Sequence, residues 1–383
     1  MLPDGWGKLE FEKIACLRKT KFDPKSDKTY PCIELEHIQK DTGLIIGHIE
    51  SKGQESTKNK FLPGDVLFGK LRPYLRKYAK VDYVGVCSSE IWVFQPSDAV
   101  TQSFLFHLIQ QNDFIQATCV TTGSKMPRAD WNYISAVPFL VPTKKEQEGI
   151  AEILSTCDIA IEKTEKLIEA KEKRFSWLIK SLIDNHCKHW EHLQVAKMFT
   201  SISEKNNGNE ELLSVTQNRG VIPRANLEGR VMSPEGSTDG YKLVKKGDFA
   251  ISLRSFQGGI EYSIYQGLIS PAYTVLRSKL KIDYEFYRHF FKSYIFIEKY
   301  LSIAVIGIRD GKQISIPDFM TVKIPYPSLE QQKKIAFVLN TARQEIDLLK
   351  KQAEAYRKQK RGLMQKLLTG QWRVKIDEGG RVK

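Results

Sequence analysis

The sequence predicts an α+β protein built twice: two similar α/β globular units, joined by two long helices and related by pseudo-two-fold symmetry. Three observations predict this. The phrase "VPTKKEQEGIAEIL" at 141–154 recurs as "YPSLEQQKKIAFVL" at 326–339. Behind each copy runs an apolar register of alternating four- and three-residue steps. Ahead of each copy lie short β-branched and aromatic runs, bounded by Gly, Pro and Asp, that read as strands. At 383 residues the chain has room for two or three domains with cores of their own. The expected divisions are a globular unit over 1–142, a long helix over 143–187, a second unit over 188–327, a second long helix over 328–372 and a tail over 373–383.

The two units open alike. "GWGKLEFEKI" at 5–14 is similar to "HWEHLQVAKM" at 189–198, aligning Trp6 with Trp190. Strand runs follow, with "LPGDVLFGKLRPY" matching "KKGDFAISLRSF" about Gly64, Asp65, Gly247 and Asp248. "GVCSSEIWVF" from Gly85 then matches "GLISPAYTVL" from Gly267. A helix is expected next, near 101–116 and 284–300, where "SFLFHLI" and "EFYRHFF" align His107 with His289. A duplicated segment of this length is too long for a solenoid repeat, so it implies two similar domains.

The quoted phrase is a helix start. Thr143 with Glu146, and Ser328 with Gln331, have capping-box spacing, each behind a proline that discourages helix upstream. From there one seam runs through Ile150, Leu154, Ile161, Ile168, Leu178 and Leu182. The other runs through Ile335, Leu339, Ile346, Leu349, Tyr356 and Leu363. The period of 3.5 residues predicts a coiled-coil seam, interrupted at Thr164, Lys171 and Lys360. A helix of ~38 residues spans roughly 57 Å, so each is a spacer as well as a core element.

Charge points to the partner. A formal net charge of +14 suits a polyanion, most simply nucleic acid. The basic stretches "GKLRPYLRKYAK", "TTGSKMPRADWN", "SLRSFQGG" and "VIGIRDGKQIS" supply Lys70, Arg72, Arg76, Lys125, Arg128, Arg254, Gln257, Arg309 and Lys312. Lys and Arg neutralise phosphates, and Arg and Gln can read guanine and adenine edges bidentately. Each alone reads more simply as a solvated surface charge; their recurrence at matching places in both units argues for an interface.

Catalytic patterns are missing. The chain has no Walker-type phosphate loop, no G-x-S-x-G, no H-E-x-x-H and no aromatic-flanked N-P-P tetrapeptide. Asp41, Glu50 and Lys52 have nuclease-like spacing, but without a counterpart in the second unit. His186, Cys187, His189 and His192 crowd together, yet zinc needs a second ligand pair that the sequence lacks. Six scattered cysteines without a C-x-x-C pair read as buried, reduced thiols. No apolar leader or membrane-length apolar stretch occurs, so a cytoplasmic protein with no membrane partner is expected.

Over nearly its full length the chain resembles the specificity subunits of type I restriction-modification enzymes. The resemblance rests on "PFLVPTKKEQEGIAEIL" and "IPYPSLEQQKKIAFVL", and on "GLMQKLLTGQWRV" closing the second helix. The second copy departs in reading "LEQQKKIA", and the first helix ends in "SLIDNHCKHW" without "LLTG". The resemblance implies that each unit is a target recognition domain for one half of a split, asymmetric double-stranded DNA site. It implies that the long helices lie antiparallel and set the gap between half-sites. Two modification subunits would bring S-adenosylmethionine to methylate adenine, and restriction subunits would use ATP and Mg for translocation and cleavage in phage defence. This chain itself would be non-catalytic, with no cofactor or metal of its own. An alternative is an orphan DNA-binding adaptor of a defence or regulatory system, without restriction partners.

Overall fold

Gly64 and Gly247 take left-handed backbone angles, φ +93° and +97°, that only glycine adopts without strain. The aspartate after each closes the turn: Asp65 accepts the Leu62 amide and Asp248 the Lys245 amide, both at 2.8 Å. Each turn launches a strand of a four-stranded antiparallel sheet. In the first unit the strands are β1 (Ala15–Leu17), β2 (Val66–Gly69), β3 (Tyr78–Lys80) and β4 (Ile91–Pro96), ordered β1-β4-β2-β3. In the second they are β5 (Phe199–Ile202), β6 (Phe249–Ser252), β7 (Glu261–Tyr262) and β8 (Tyr273–Ser278), ordered β5-β8-β6-β7. The sheet order repeats. This computed structural model describes residues 3–120, 126–217, 219–227, 238–252, 258–307 and 313–374.

A two-stranded antiparallel ribbon ties the start of each unit to its end. Gly7–Glu10 pairs with Pro138–Val141, and His192–Gln194 pairs with Lys323–Pro325. The units differ in their remaining strands. The first has a five-stranded mixed sheet of Lys21–Phe22, Lys58–Phe61, Gly85–Cys87, Pro31–Ile33 and Ile49–Glu50, in that order. The second has, among its described residues, separate pairs: Leu213–Thr216 with Gly220–Pro223, and Lys242–Val244 with Gly267–Ile269.

Four helices matter for the sites: α1 (Gln102–Leu108), α2 (Lys144–Ile179), α3 (Tyr284–Phe290) and α4 (Leu329–Leu367). The helices expected over 101–116 and 284–300 are each interrupted: Gln102–Leu108 is followed by a second helix at Asn112–Thr118, and Tyr284–Phe290 by a π turn at Phe296–Tyr300. Within the breaks, the Gln110 carbonyl accepts from Arg76 and the Phe291 carbonyl from the Ile260 amide. Against the sheets, the helix Asn112–Thr118 (through Phe114) and α3 (through Tyr287) bury aromatic clusters. Phe11, Phe68, Phe94 and Phe114 meet at ring-centroid distances of 5.0–6.3 Å, and Phe199, Phe249, Tyr287 and Phe291 at 5.0–5.9 Å.

The long helices run 36 and 39 residues, and α2 gives way to a π turn at Lys180–Asp184 before the expected limit at 187. The chain divides into two compact units, Met1–Glu165 with Lys351–Lys383, and Lys166–Lys350, so each unit holds part of each long helix. In the first unit Asp158 pairs with Lys360, and further along α2 Glu165 pairs with Arg357, earlier on α4. In the second, Lys350 pairs with Glu172, and further along α2 Phe175 lies under Arg343. The helix segments are therefore antiparallel within each unit. Every apolar seam position read from the sequence is buried or half-buried. Ile150 and Leu154 join the first core with Met364, Leu367 and Leu368. Leu339 and Ile346 join the second core with Phe175.

The helix starts differ from the expected pair of capping boxes. Ser328 and Gln331 form the reciprocal box, each side chain bonding the other's backbone amide. Thr143 accepts the Glu146 amide at 3.4 Å, but the Glu146 carboxylate turns instead to the Trp6 indole at 3.0 Å and to Arg373 at 2.8 Å. An arginine and an indole outcompete one backbone amide for this buried carboxylate. The next residue does more than the cap. Fully buried Gln147 accepts the Thr101 amide at the start of α1 and donates to the carbonyls of Ala99 and Pro142. Gln332 likewise accepts the Asp283 amide at the start of α3 and donates to Pro327.

Candidate nucleic-acid interface

The basic segment after β2 does not stay together. Lys70, Arg72 and Arg128 share one edge of the first unit because 70–72 runs beside 127–129. The Arg72 amide bonds the Pro127 carbonyl at 2.8 Å, the Ala129 amide bonds the Lys70 carbonyl at 2.9 Å, and Leu71 bridges to Arg128. Lys70 in turn donates its amide to Glu90. Arg128 pairs with Glu90 at 3.0 Å while half-exposed, a surface bond of the kind worth ~0–1 kcal/mol and readily exchanged for a phosphate.

Arg76 points elsewhere. Arg72 and Arg76 bracket a single 3-10 turn, Pro73–Leu75, both in the left-handed region at φ 51° and 52°. That geometry costs a non-glycine residue of order 1–3 kcal/mol. The bonds of Arg76 offset it: Nε to Asp41 at 2.8 Å, Nη1 to Asn112 at 3.2 Å and Nη2 to the Gln110 carbonyl. Asp41 also accepts from the Tyr78 hydroxyl at 2.9 Å, so the nuclease-like Asp41 is committed to holding this turn.

Beside Lys70 opens a cavity of about 610 Å³, lined by Lys13, Lys19, Lys21 and Arg18 against a single acid, Glu12. Trp92 and Trp131 form part of its wall, with ring centroids 5.9 Å apart. Arg18 is spent on Asp65, which it clasps with two bonds of 2.6 and 2.8 Å; that pairing holds its guanidinium above its usual pKa. These three lysines lie outside the basic stretches singled out from the sequence, although "EKIACLRKTKF" displays them at short spacing. Cationic groups over an aromatic wall suit a phosphate backbone with exposed bases or sugars beside it.

Lys125, Arg254, Gln257, Arg309 and Lys312 lie outside the described residues. On either side of 308–312, Val305–Ile306 and Gln313–Ile314 pair as an antiparallel ribbon. The histidine-rich stretch serves packing. His186 stacks on Trp190, His192 sits between the Trp190 carbonyl and the Tyr300 hydroxyl, and burial pushes the Cys187 thiol up to about 12. Among the described residues no group of three or more His, Cys, Asp or Glu side chains could hold a metal ion. None of the helices described is long and apolar enough to cross a membrane.

Comparison with known proteins agrees with this architecture. Residues 4–172 and 192–355 each match the family model of the type I restriction modification DNA specificity domain. The chain is 27% identical over 326 residues to the type I restriction enzyme MjaVIII specificity subunit of Methanocaldococcus jannaschii, covering 76% of this chain and 75% of that one. It is 25% identical over 415 residues to the putative MjaX specificity subunit of the same organism, covering 98% and 95%. Among solved structures, a chain from a type I R-M system, studied for complex assembly and conformational transition, superposes with a TM-score of 0.61. That match is at 18% identity and covers 97% of this chain and 100% of the other.

Proposed function

The chain belongs to the type I restriction-modification DNA specificity family, and from that premise we propose that its two units read the two halves of a split, asymmetric DNA site. The observation that carries this reading is the repeated frame with unlike surfaces. Both units share one sheet order, one Gly-Asp turn and one glutamine seat for the long helix. Yet the five-stranded sheet of the first has no like-sized counterpart among the described residues of the second. Unlike surfaces on a common frame suit unlike sequences. In the first unit, Lys70, Arg72 and Arg128, with the cavity lined by Lys13, Lys19 and Lys21, take the DNA backbone. Arg76 holds the turn that presents Arg72.

One unit offers few base contacts, each worth ~1–3 kcal/mol of discrimination. Two units on a stiff spacer make the second binding event intramolecular and add a length criterion. At 36 and 39 residues the helices span about 54 and 58 Å. Two modification subunits dock along them and bring S-adenosylmethionine; restriction subunits join with ATP and Mg. None of that catalysis is assigned to this chain, which acts as the non-catalytic specificity subunit of a cytoplasmic complex.

The test is a methylome. The chain is co-expressed with its modification subunit in an unmodified host, and the DNA is sequenced by a method that detects methyladenine. A split motif that changes in one half when residues 1–142 are exchanged is the expected result. Absence of methylation from a stable, DNA-binding complex would replace this reading with the orphan adaptor.

A further inference from the structure

Each unit has a cavity where its sheet and short helix meet its share of the long helices. In the first unit it measures about 220 Å³, and its charges are matched. Arg76 bonds Asp41 at 2.8 Å, Lys360 bonds Asp158 at 2.6 Å, and Arg357 pairs with Glu165. The repeat that carries Ile150 onto Ile335 and His107 onto His289 carries this lining onto the second unit. Arg343 stands where Asp158 does, Lys350 where Glu165 does, and Lys292 where Gln110 does. The second cavity is larger, about 850 Å³, and five cations line it (Arg219, Arg288, Lys292, Arg343 and Lys350) against two carboxylates, Glu261 and Asp347.

The carboxylates leave this cavity cationic. Lys350 is paired with Glu172 at 2.6 Å and Arg288 with Glu285 at 3.1 Å, both at half-exposed positions. Arg343 lies over the Phe175 ring at 5.0 Å, and Arg219 donates to the Asn226 carbonyl at 3.0 Å. Among the described residues neither arginine has a carboxylate partner. Glu261 is 6% exposed; one oxygen is bonded by Lys292, while the other has no hydrogen-bond partner among the described residues. Burial pushes this carboxyl up to about 7, so near neutrality the one deeply buried acid of the cavity gives up much of its charge.

We propose that this cavity of the second unit is a phosphate site, with Arg219 and Arg343 as its principal holders. Two guanidiniums present planar donor forks that match phosphate oxygens, and a cavity walled by protein strengthens their pull relative to open water. The equivalent cavity of the first unit, with Arg76, Arg357, Lys360 and Arg361 each paired to a carboxylate, is no such site. The phosphate is either a phosphodiester of DNA held by this unit or a free phosphoryl anion. The DNA form rests on the DNA reading proposed above; the free-anion form does not.

The test uses the full chain at pH 8 in chloride buffer, titrated calorimetrically with inorganic pyrophosphate and, separately, with duplex DNA at several salt concentrations. Arg219→Gln and Arg343→Gln each weaken binding about tenfold, the loss of one charge-assisted contact. Glu261→Gln tightens it, because the cavity loses its buried carboxylate and keeps its shape. Opposite signs from one cavity cannot come from damage to the fold, and Arg219, itself exposed, tests the idea even where Arg343→Gln destabilises. A salt slope of DNA binding lowered by about one per arginine assigns the site to a DNA phosphodiester. Pyrophosphate binding that responds to the variants, with the DNA slope unmoved, assigns it to a free anion. A chain that binds no DNA but takes pyrophosphate in this pattern removes the DNA reading and keeps the site. Neither probe responding to any variant overturns the proposal, as does an effect confined to docking of a partner protein.

Discussion

In the first unit Asp65 is clasped by Arg18, one residue past β1; in the second, Asp248 is clasped by Arg277, on the neighbouring strand β8. The turn needs a countercharge at one point in space and is indifferent to which strand supplies it. The same exchange recurs beside the sheet. Lys80 on β3 lies over the Phe106 ring of α1 at 5.7 Å, whereas Arg288 of α3 lies over the Tyr262 ring of β7 at 5.9 Å. Cation and ring have traded sides. Against this, His107 meets Ser155 and His289 meets Asn340 from equivalent places, and Gln147 and Gln332 repeat their seats. The glutamine seats, which satisfy backbone groups, keep their geometry, whereas the carboxylate clasps and cation–ring contacts are free to trade sides.

The sharpest way to break that comparison is to remove the turn carboxylates. Asp65→Ala strands Arg18 in a mostly buried place and should cost ~3–5 kcal/mol in urea denaturation. Asp248→Ala should cost less, because Arg277 keeps Glu204 at 2.7 Å; equal losses would show that the two clasps are not exchanged parts of one design. Next come the glutamines. Gln147→Leu and Gln332→Leu each strand buried backbone groups, and roughly 2–3 kcal/mol is expected from both in the same assay. A large asymmetry would mean that only one helix start is seated this way.

Glu261 separates the units by pH. Its folded pKa, about 7, lies above its unfolded value, so the folded chain binds the extra proton between them. Stability should therefore rise by about 2 kcal/mol as pH falls from above 7 toward 5, and Glu261→Gln should flatten that rise. A variant with the unaltered pH dependence would remove this group from the account. The smallest effect is at the surface. Arg128→Ala should change stability by under ~1 kcal/mol yet lower the salt slope of DNA binding by about one; an unchanged slope would take Arg128 out of the interface.

The duplicated phrase was legible because caps and seams are local patterns, and the alternating steps from Ile150 and Ile335 fall on buried or half-buried positions. What escaped the sequence was long-range. Gln147 looks like part of a capping phrase, but its partners include Thr101 and Ala99, 46 and 48 residues earlier in the chain. Glu146 has capping spacing, but Trp6 and Arg373 claim it. Lys360 reads as a flaw in the seam until Asp158 and Gln110 are found around it. Arg76 reads like Arg72, and only the fold shows that one faces Asp41 and the other is exposed. Local order is written in spacing; the choice of a distant partner is not.

The division of the long helices between the units has a consequence for the order of events at the ribosome. The second unit is one continuous stretch, Lys166–Lys350, whereas the core of the first requires Met364, Leu367 and Leu368 as well as Ile150 and Leu154. Synthesis runs from the N-terminus, so nearly the whole chain must emerge before the first unit can close its apolar interior. Until then, the part of that core which Met364, Leu367 and Leu368 cover is exposed and in need of shelter. The half that is begun first is finished last.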